Sequence, residues 1–259
     1  MEIRFDGQNA LIIGGARGLG KCIAETLAHS GADIVIADVL DEEGKETCAS
    51  IRQMGRKASY VHTDVTDAAQ VRDLYAGIPR LDIMIHCVGI TMTDTWLDAS
   101  TEKVQRLTNI NIMGTNNVTQ EALRKMIPQN RGKILLLSSV AGRVAAETVP
   151  HYRMSKAAML SMVMSAAKIA AKHNVNVNGL CPGIIRTDMW ETQLLPGKAE
   201  QMNASKEEVW NTMIRNLVPM GRAQIPQDIA NAAAFLCSSW ADNITGQSLN
   251  VDGGQCMQI

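Results

Sequence analysis

The chain carries no excess of either charge: 25 Lys and Arg face 26 Asp and Glu, for a formal net charge of −1. That balance leaves no electrostatic footprint for nucleic acid or an anionic membrane. Long apolar runs are missing too. Ile34–Ala37 and Ile134–Leu137 are far too short to cross a bilayer. The opening Met-Glu-Ile-Arg-Phe-Asp lacks the apolar centre of a signal peptide. The six cysteines (22, 48, 87, 181, 237 and 256) form no Cys-x-x-Cys pair, and no histidine stands at ligand spacing from them. These absences predict a reduced, cytoplasmic protein with free thiols and no structural metal. Aromatics are scarce, with two Phe, three Tyr and four Trp, whereas methionines number fifteen. Methionine must then fill core space that rings would otherwise take. No repeat, low-complexity segment or linker breaks the 259 residues, which predicts one domain, 1–259.

What is present is an alternation of short apolar runs with helical patterns. Strands are predicted at Asn9–Ile13, Asp33–Ala37, Ala58–Thr63, Leu81–Cys87, Lys133–Leu137, Asn174–Leu180 and Ser248–Val251. Between them lie helical patterns at Lys21–His29, Glu42–Met54, Ser100–Ile127, Tyr152–Lys172 and Gln227–Ser238. Asp67-Ala-Ala-Gln70 reads as a capping box opening a short helix, and Ser205-Lys-Glu-Glu208 as another. The stretch 187–225 reads as an inserted helical lid. The expected fold is therefore α/β: a doubly wound parallel sheet of about seven strands with helices on both faces.

Two constellations in this frame carry chemistry. Gly14-x-x-x-Gly18-x-Gly20 follows the first strand and runs into a helix. Glycines there permit a tight turn and let backbone amides reach a pyrophosphate at the helix N-terminus. Asp38 lies 24 residues beyond Gly14, at the end of the second strand, where an acidic group meets the ribose in dinucleotide folds. The other constellation is Tyr152-x-x-x-Lys156, with Ser139 thirteen residues before the tyrosine. Residues four apart on a helix share a face, so an ammonium can act on the phenol. Bringing a tyrosine pKa from near 10 to about 7 takes roughly 4 kcal/mol of preference for the phenolate. A close cation in a partly dry site can supply energy of that order.

Taken with Asp64-Val65, Asn111, Pro182-Gly183 and Val251-Asp-Gly-Gly254, these motifs resemble the short-chain dehydrogenase/reductase family over nearly the whole chain. The resemblance implies a Rossmann fold and hydride exchange with a nicotinamide cofactor, served by Ser139, Tyr152, Lys156 and Asn111. It implies cofactor contacts from Gly14, Arg17, Gly18, Leu19, Gly20, Asp38, Asp64, Val65, Gly89, Tyr152, Lys156, Pro182, Gly183, Ile185 and Thr187. Substrate would meet Ser139, Tyr152, Met189 and Trp190. It further implies a homotetramer, or a homodimer, built on helices 101–127 and 152–172.

Two departures stand beside each other. Ile13 replaces the family's threonine before the first glycine, and His86-Cys-Val-Gly89 replaces Asn-Asn-Ala-Gly. Losing both suggests apolar repacking, with His86 structural. Asp38, followed by Val39, Leu40 and Asp41 with no basic residue, favours NAD over NADP, while Arg17 argues the other way. The stretch from Cys181 to Trp190 is similar to diol, acetoin and sugar-alcohol dehydrogenases, with hydroxysteroid dehydrogenases also in range. A small secondary alcohol or ketone is the expected partner. The alternatives are a 3-oxoacyl-carrier-protein reductase and a non-catalytic NAD-binding protein.

Overall fold

Alternation along the strands dictates the layering. In Leu11-Ile12-Ile13 the middle side chain packs on one face of the sheet and its two neighbours on the other. Ile83 and Ile85 against Met84, and Leu135 and Leu137 against Ile134 and Leu136, repeat the pattern. Strands apolar at every position are buried on both faces, as a parallel sheet demands. The computed structural model describes residues 2–187 and 190–257.

The strands are β1 (Asn9–Ile13), β2 (Asp33–Asp38), β3 (Ala58–His62), β4 (Ile83–His86), β5 (Gly132–Leu137), β6 (Val175–Pro182) and β7 (Ser248–Val251). They form one parallel sheet in the order β3-β2-β1-β4-β5-β6-β7. On one face lie α1 (Gly18–His29), α2 (Asp41–Gln53) and α9 (Pro226–Cys237), burying Ile23, Leu27, Ile51 and Ile229. The other face is covered by α3 (Ala68–Ala76), α5 (Thr115–Gln129) and α6 (Pro150–Ala170), through Val71, Leu74, Val118, Met126 and Val163. Strand order reverses between β1 and β4. That reversal opens a crevice at the carboxyl ends of the strands, where open α/β sheets hold ligands.

The helix expected from Ser100 to Ile127 is not uniform. It runs as α4 (Thr101–Thr108), a π-helical turn (Asn109–Gly114) and α5, which continues to Gln129 and ends on Asn130 with φ 52°. Thr115 explains part of the turn: its hydroxyl donates to the Asn111 carbonyl at 2.6 Å, replacing backbone bonding there. The Asp67 cap holds, accepting from the amides of Ala69 and Gln70. So does the Ser205–Glu208 box. Asp38 does not cap α2, whose N-cap is Leu40.

The lid consists of a π-helical turn (Trp190–Leu194), α7 (Leu195–Met202) and α8 (Lys206–Leu217). It has a small core of its own, with Leu195, Val209, Trp210 and Ile214 buried beside Ile184 and Val218. Trp190 meets Trp210 edge-on at 5.7 Å, a favoured aromatic geometry. The exposed side of α6 carries Met154, Met164 and Ile169. Among the described residues no helix is long and apolar enough to cross a membrane, and no cluster of metal-ligating side chains occurs. All six cysteines are free.

Candidate active site

Five strand ends build the crevice. After β1 the chain turns at Gly14 (φ 80°), and a Cβ on Gly20 would lie 1.9 Å from the Gly14 carbonyl oxygen, so α1 can start this close only with glycine there. No side chain caps the N-terminus of α1, which leaves its first amides to a ligand. At the end of β2 the Asp38 carboxylate is fixed by the amides of Ala16 (3.0 Å), Val39 (2.8 Å) and Leu40 (3.3 Å). One oxygen accepts two of these bonds and the other only one, so the second keeps a lone pair for a hydroxyl. Beyond β4, the space above Gly89 is approached by the Lys156 ammonium and the Asn111 amide oxygen. β5 delivers Ser138 and Ser139; β6 delivers Pro182 and Gly183.

Lys156 is buried on α6, with its ammonium donating to the Leu137 carbonyl at 2.9 Å. Burial pushes its pKa down to about 8. Ser138 donates to the Lys156 carbonyl at 2.8 Å, which ties the helix to the end of β5. Ser139 and Tyr152 line the same cleft, the Ser139 hydroxyl donating to the Pro182 carbonyl at 3.5 Å and accepting from the Ala141 amide at 3.1 Å, and the Lys156 nitrogen lies 5.7 Å from the centre of the Tyr152 ring. Here the structure differs from the expected depression of the tyrosine by the lysine. Burial raises the Tyr152 pKa above its ordinary value, and only the Ser139 hydroxyl and Arg153 oppose it. At a site this dry, desolvation of the phenolate outweighs a cation held off by a carbonyl.

Asn111 is wholly buried, and its amide is fully engaged. It accepts from the Ile90 amide (2.9 Å) and donates to the Ile90 carbonyl (2.8 Å) and to Ser155 (2.9 Å). Ser155 in turn donates to the Tyr152 carbonyl at 2.7 Å. Asn111 therefore braces the strand-β4 loop against the helix that carries Tyr152 and Lys156.

The predicted residues fall into three adjoining spaces. A cleft of about 530 Å³ is lined by Gly14, Arg17, Gly18, Leu19, Gly20, Asp38, Gly89, Tyr152, Lys156, Pro182, Gly183, Ile185 and Thr187. Asp64 and Val65 line a neighbouring cavity that also meets Asp38. A third cavity, of about 460 Å³, lies under the lid and shares Ser139, Tyr152, Gly183 and Trp190 with the cleft. Met189 lies outside the described residues. The open helix N-terminus, the glycine-only turn and the carboxylate fixed at the end of β2 fit a dinucleotide.

Sequence reading missed several lining residues. Cys87, Val88 and Ser138 could have been found from their places at strand ends; Leu40 and Pro226 on the cleft, and Arg153, Lys198 and Gln255 under the lid, gave no local signal.

Fold and site together define a dinucleotide-binding oxidoreductase. Residues 14–255 match the family described as Enoyl-(Acyl carrier protein) reductase. The chain is 34% identical to the 3-oxoacyl-[acyl-carrier-protein] reductase FabG of Aquifex aeolicus (strain VF5), covering 98% of this chain and 99% of that one. It is similar to NAD+-bound xylitol dehydrogenase, with 27% identity, a TM-score of 0.91 and coverage of 96% and 99%. It is also similar to a gluconate 5-dehydrogenase from Burkholderia cenocepacia J2315 in complex with NADP and tartrate, with 30% identity, a TM-score of 0.88 and coverage of 98% and 96%. The chain belongs to the short-chain dehydrogenase/reductase family.

Behind the site, the departure at His86 has a physical account. His86 pairs with Ile13 across the sheet, yet its ring bonds elsewhere: Nε2 lies 3.0 Å from the Thr115 hydroxyl. That hydroxyl spends its proton on the Asn111 carbonyl, so Nε2 must be the protonated nitrogen. The repacking is thus polar, linking His86 through Thr115 to the π turn, with Nδ1 left unpartnered among the described residues. Burial, then the Lys156 charge, pushes the His86 pKa down from 6.5 to about 3. The unfolded chain takes up a proton below about 6.5 that the folded chain refuses until about 3, so stability falls as pH drops through this window. Between pH 7 and pH 5 this site should cost roughly 2 kcal/mol. His86→Gln should lose that much less over the same interval in urea unfolding, and equal losses in both proteins would show that His86 is not a neutral buried group.

Proposed function

We propose that the protein interconverts a secondary alcohol and a ketone with NAD(H), the alcohol being a diol, polyol or hydroxysteroid-like molecule. The observation that carries this is the Ser139–Tyr152 hydroxyl pair standing where the glycine-lined cleft meets the cavity under the lid, with Lys156 beside it. One domain suffices: the lid at 187–225 covers the substrate and the sheet edge holds the cofactor. In oxidation Tyr152 takes the hydroxyl proton, and in reduction it returns one. Ser139 holds the substrate oxygen and fixes its orientation. Lys156 binds ribose hydroxyls, while Asn111 holds the helix and the β4 loop in register. A bound nicotinamide supplies the hydride acceptor or donor. Amides after Gly14, Gly18 and Leu19, together with Arg17, would face its pyrophosphate. Asp64, Val65 and Gly89 would flank the adenosine side and the ring, and Pro182, Gly183, Ile185 and Thr187 the carboxamide.

Tyr152→Phe removes the transferable proton and keeps the ring. Turnover should collapse while NADH still binds, and retention of more than about a tenth of wild-type turnover, a loss under 1.4 kcal/mol, would exclude Tyr152 as the acid and base. A wild-type protein that binds NADH yet turns over no alcohol or ketone would leave a non-catalytic NAD-binding protein as the better reading.

A 3-oxoacyl-carrier-protein reductase is the second reading, favoured by the full-length relative of that name. The basic cluster after the long helix does not help it. Arg124 pairs with Glu121, Lys125 donates to the Tyr75 carbonyl, Arg131 pairs with Asp82 and Lys133 with Asp242. Little is left of that cluster for an acidic carrier.

NAD is favoured over NADP because the fixed Asp38 carboxylate would face a 2′-phosphate. Two unit charges 4 Å apart repel by about 4 kcal/mol at an effective dielectric near 20, and half of that is already more than tenfold. Asp38→Ala should shift preference toward NADP, but it strips an acceptor from three backbone amides. Asp38→Asn removes the charge and keeps one acceptor oxygen for the Val39 and Leu40 amides, giving up only the acceptor of the Ala16 amide, and is the milder variant. Comparing kcat/KM with both cofactors decides it, and a wild-type protein faster with NADP(H) would overturn the assignment.

The exposed apolar side of α6, with Met154, Met164 and Ile169, supports a homotetramer or homodimer formed through α5 and α6. Light scattering at micromolar concentration should give a multiple of the 28.1 kDa chain; a monomer would remove this assignment.

A further inference from the structure

The cavity under the lid is unequally charged. Arg153 and Lys198 line it, and among the described residues no Asp or Glu does. Lys198 stands half-buried on α7, with no hydrogen bond or ion pair among the described residues. Arg153, next to Tyr152 on α6, donates from Nε to the Thr148 carbonyl (2.9 Å) and from Nη1 to the Val144 carbonyl (2.8 Å). Those acceptors are neutral, so the guanidinium charge stays uncompensated. Other cations at or near the lid are partnered, Arg186 with Glu191 and Glu207 and Arg222 with Asp228, while Arg215 on α8 is exposed to solvent and lies off the cavity wall. Lys206 at least donates to the Glu191 carbonyl. Two partly desolvated cations with no counter-ion among the described residues are unfavourable unless a ligand brings the negative charge.

We propose that the molecule oxidised or reduced here is a hydroxy acid or its keto acid, whose carboxylate is held by Lys198 and, second, by Arg153. This rests on the dehydrogenase reading above and replaces the neutral alcohols named there with one that carries a carboxylate. A carboxylate suits the donors better than a phosphate dianion, because Arg153 has already committed two of its N–H groups to backbone carbonyls. The rest of the wall agrees with a short, mixed chain. Thr91, Thr148 and Gln255 offer polar contacts, and Leu194 and Met213 offer apolar ones. The balance of the reaction is unchanged: the hydroxyl proton goes to Tyr152, the carbinol hydride goes to the nicotinamide, and the carboxylate remains intact.

The test uses matched pairs that differ in one carboxylate: gluconate against sorbitol, and 3-hydroxybutyrate against 1,3-butanediol, each with NAD. In at least one pair kcat/KM should favour the acid by about tenfold or more, the worth of one charge-assisted contact. Lys198→Gln should collapse that ratio mainly through KM, Lys198→Arg should retain most of it, and Lys198→Glu should invert it. Preference for the neutral partner in both pairs, or a ratio untouched by Lys198→Gln, would overturn the proposal while leaving the dehydrogenase reading intact. Absence of turnover with every alcohol would count against that reading instead. Calorimetric titration of gluconate and 3-hydroxybutyrate into the NADH-bound protein then decides the present one: binding weakened about tenfold or more by Lys198→Gln sustains it, and no binding of either acid overturns it.

Discussion

The constraint on which the site depends is an ammonium group placed where water does not reach. Lys156 is 4% exposed, and its pKa is pushed down to about 8, so keeping it charged near neutral pH already works against burial. What makes the position tolerable is the Leu137 carbonyl at the end of β5, which accepts from the ammonium at 2.9 Å. β5 therefore ends where its last carbonyl is needed. The next residue, Ser138, reaches back to the Lys156 carbonyl and fixes the helix to the strand. Ser139 then turns into the cleft that Tyr152 also lines. Three consecutive residues at one strand end thus hold the cation, fix the helix and line the phenol's cleft.

A second brace comes from the π turn. A regular helix would have no reason to put Asn111 inside the protein; with the extra residue in the turn, Asn111 points at Ile90 and Ser155 and saturates its amide on both. The polar chain behind it, His86 to Thr115 to the Asn111 carbonyl, satisfies a carbonyl that the turn frees from ordinary helical bonding. A neutral imidazole serves this better than a charged one, because Lys156 is close enough to disfavour a second cation.

Much of this was legible in the sequence, for physical reasons. Parallel strands buried on both faces announce themselves as unbroken apolar runs, and Asn9–Ile13 and Ser248–Val251 are found at their predicted limits. Turns that need glycine and helix faces that need a four-residue spacing are local properties, so Gly14 to Gly20 and Tyr152 with Lys156 could be placed from one stretch each. Three things were not local. The π turn depends on a hydroxyl, a buried ring and a neighbouring loop brought together from Thr115, His86 and Val65. The direction of the Tyr152 shift depends on how dry the assembled site is. The cavity under the lid draws on residues from Thr91 to Gln255, and no window of sequence spans them.

The lid shows why its apolar residues could not be sorted beforehand. One lid must both hold itself together and present a face to substrate, and the same residue types serve each purpose. Trp210 and Leu195 went inward to the small core, and Leu194 to the cavity; Trp190 and Met213 touch both, while Met202 is left exposed. Arg186 adds a charged tether, lying 5.4 Å over the Trp210 ring while bridging Glu191 and Glu207. That tether neutralises its own carboxylates and leaves none facing the cavity among the described residues. Within the cavity Arg153 and Lys198 meet no carboxylate among the described residues, and it is this local imbalance, not the lid's overall charge, on which an acid substrate would rest.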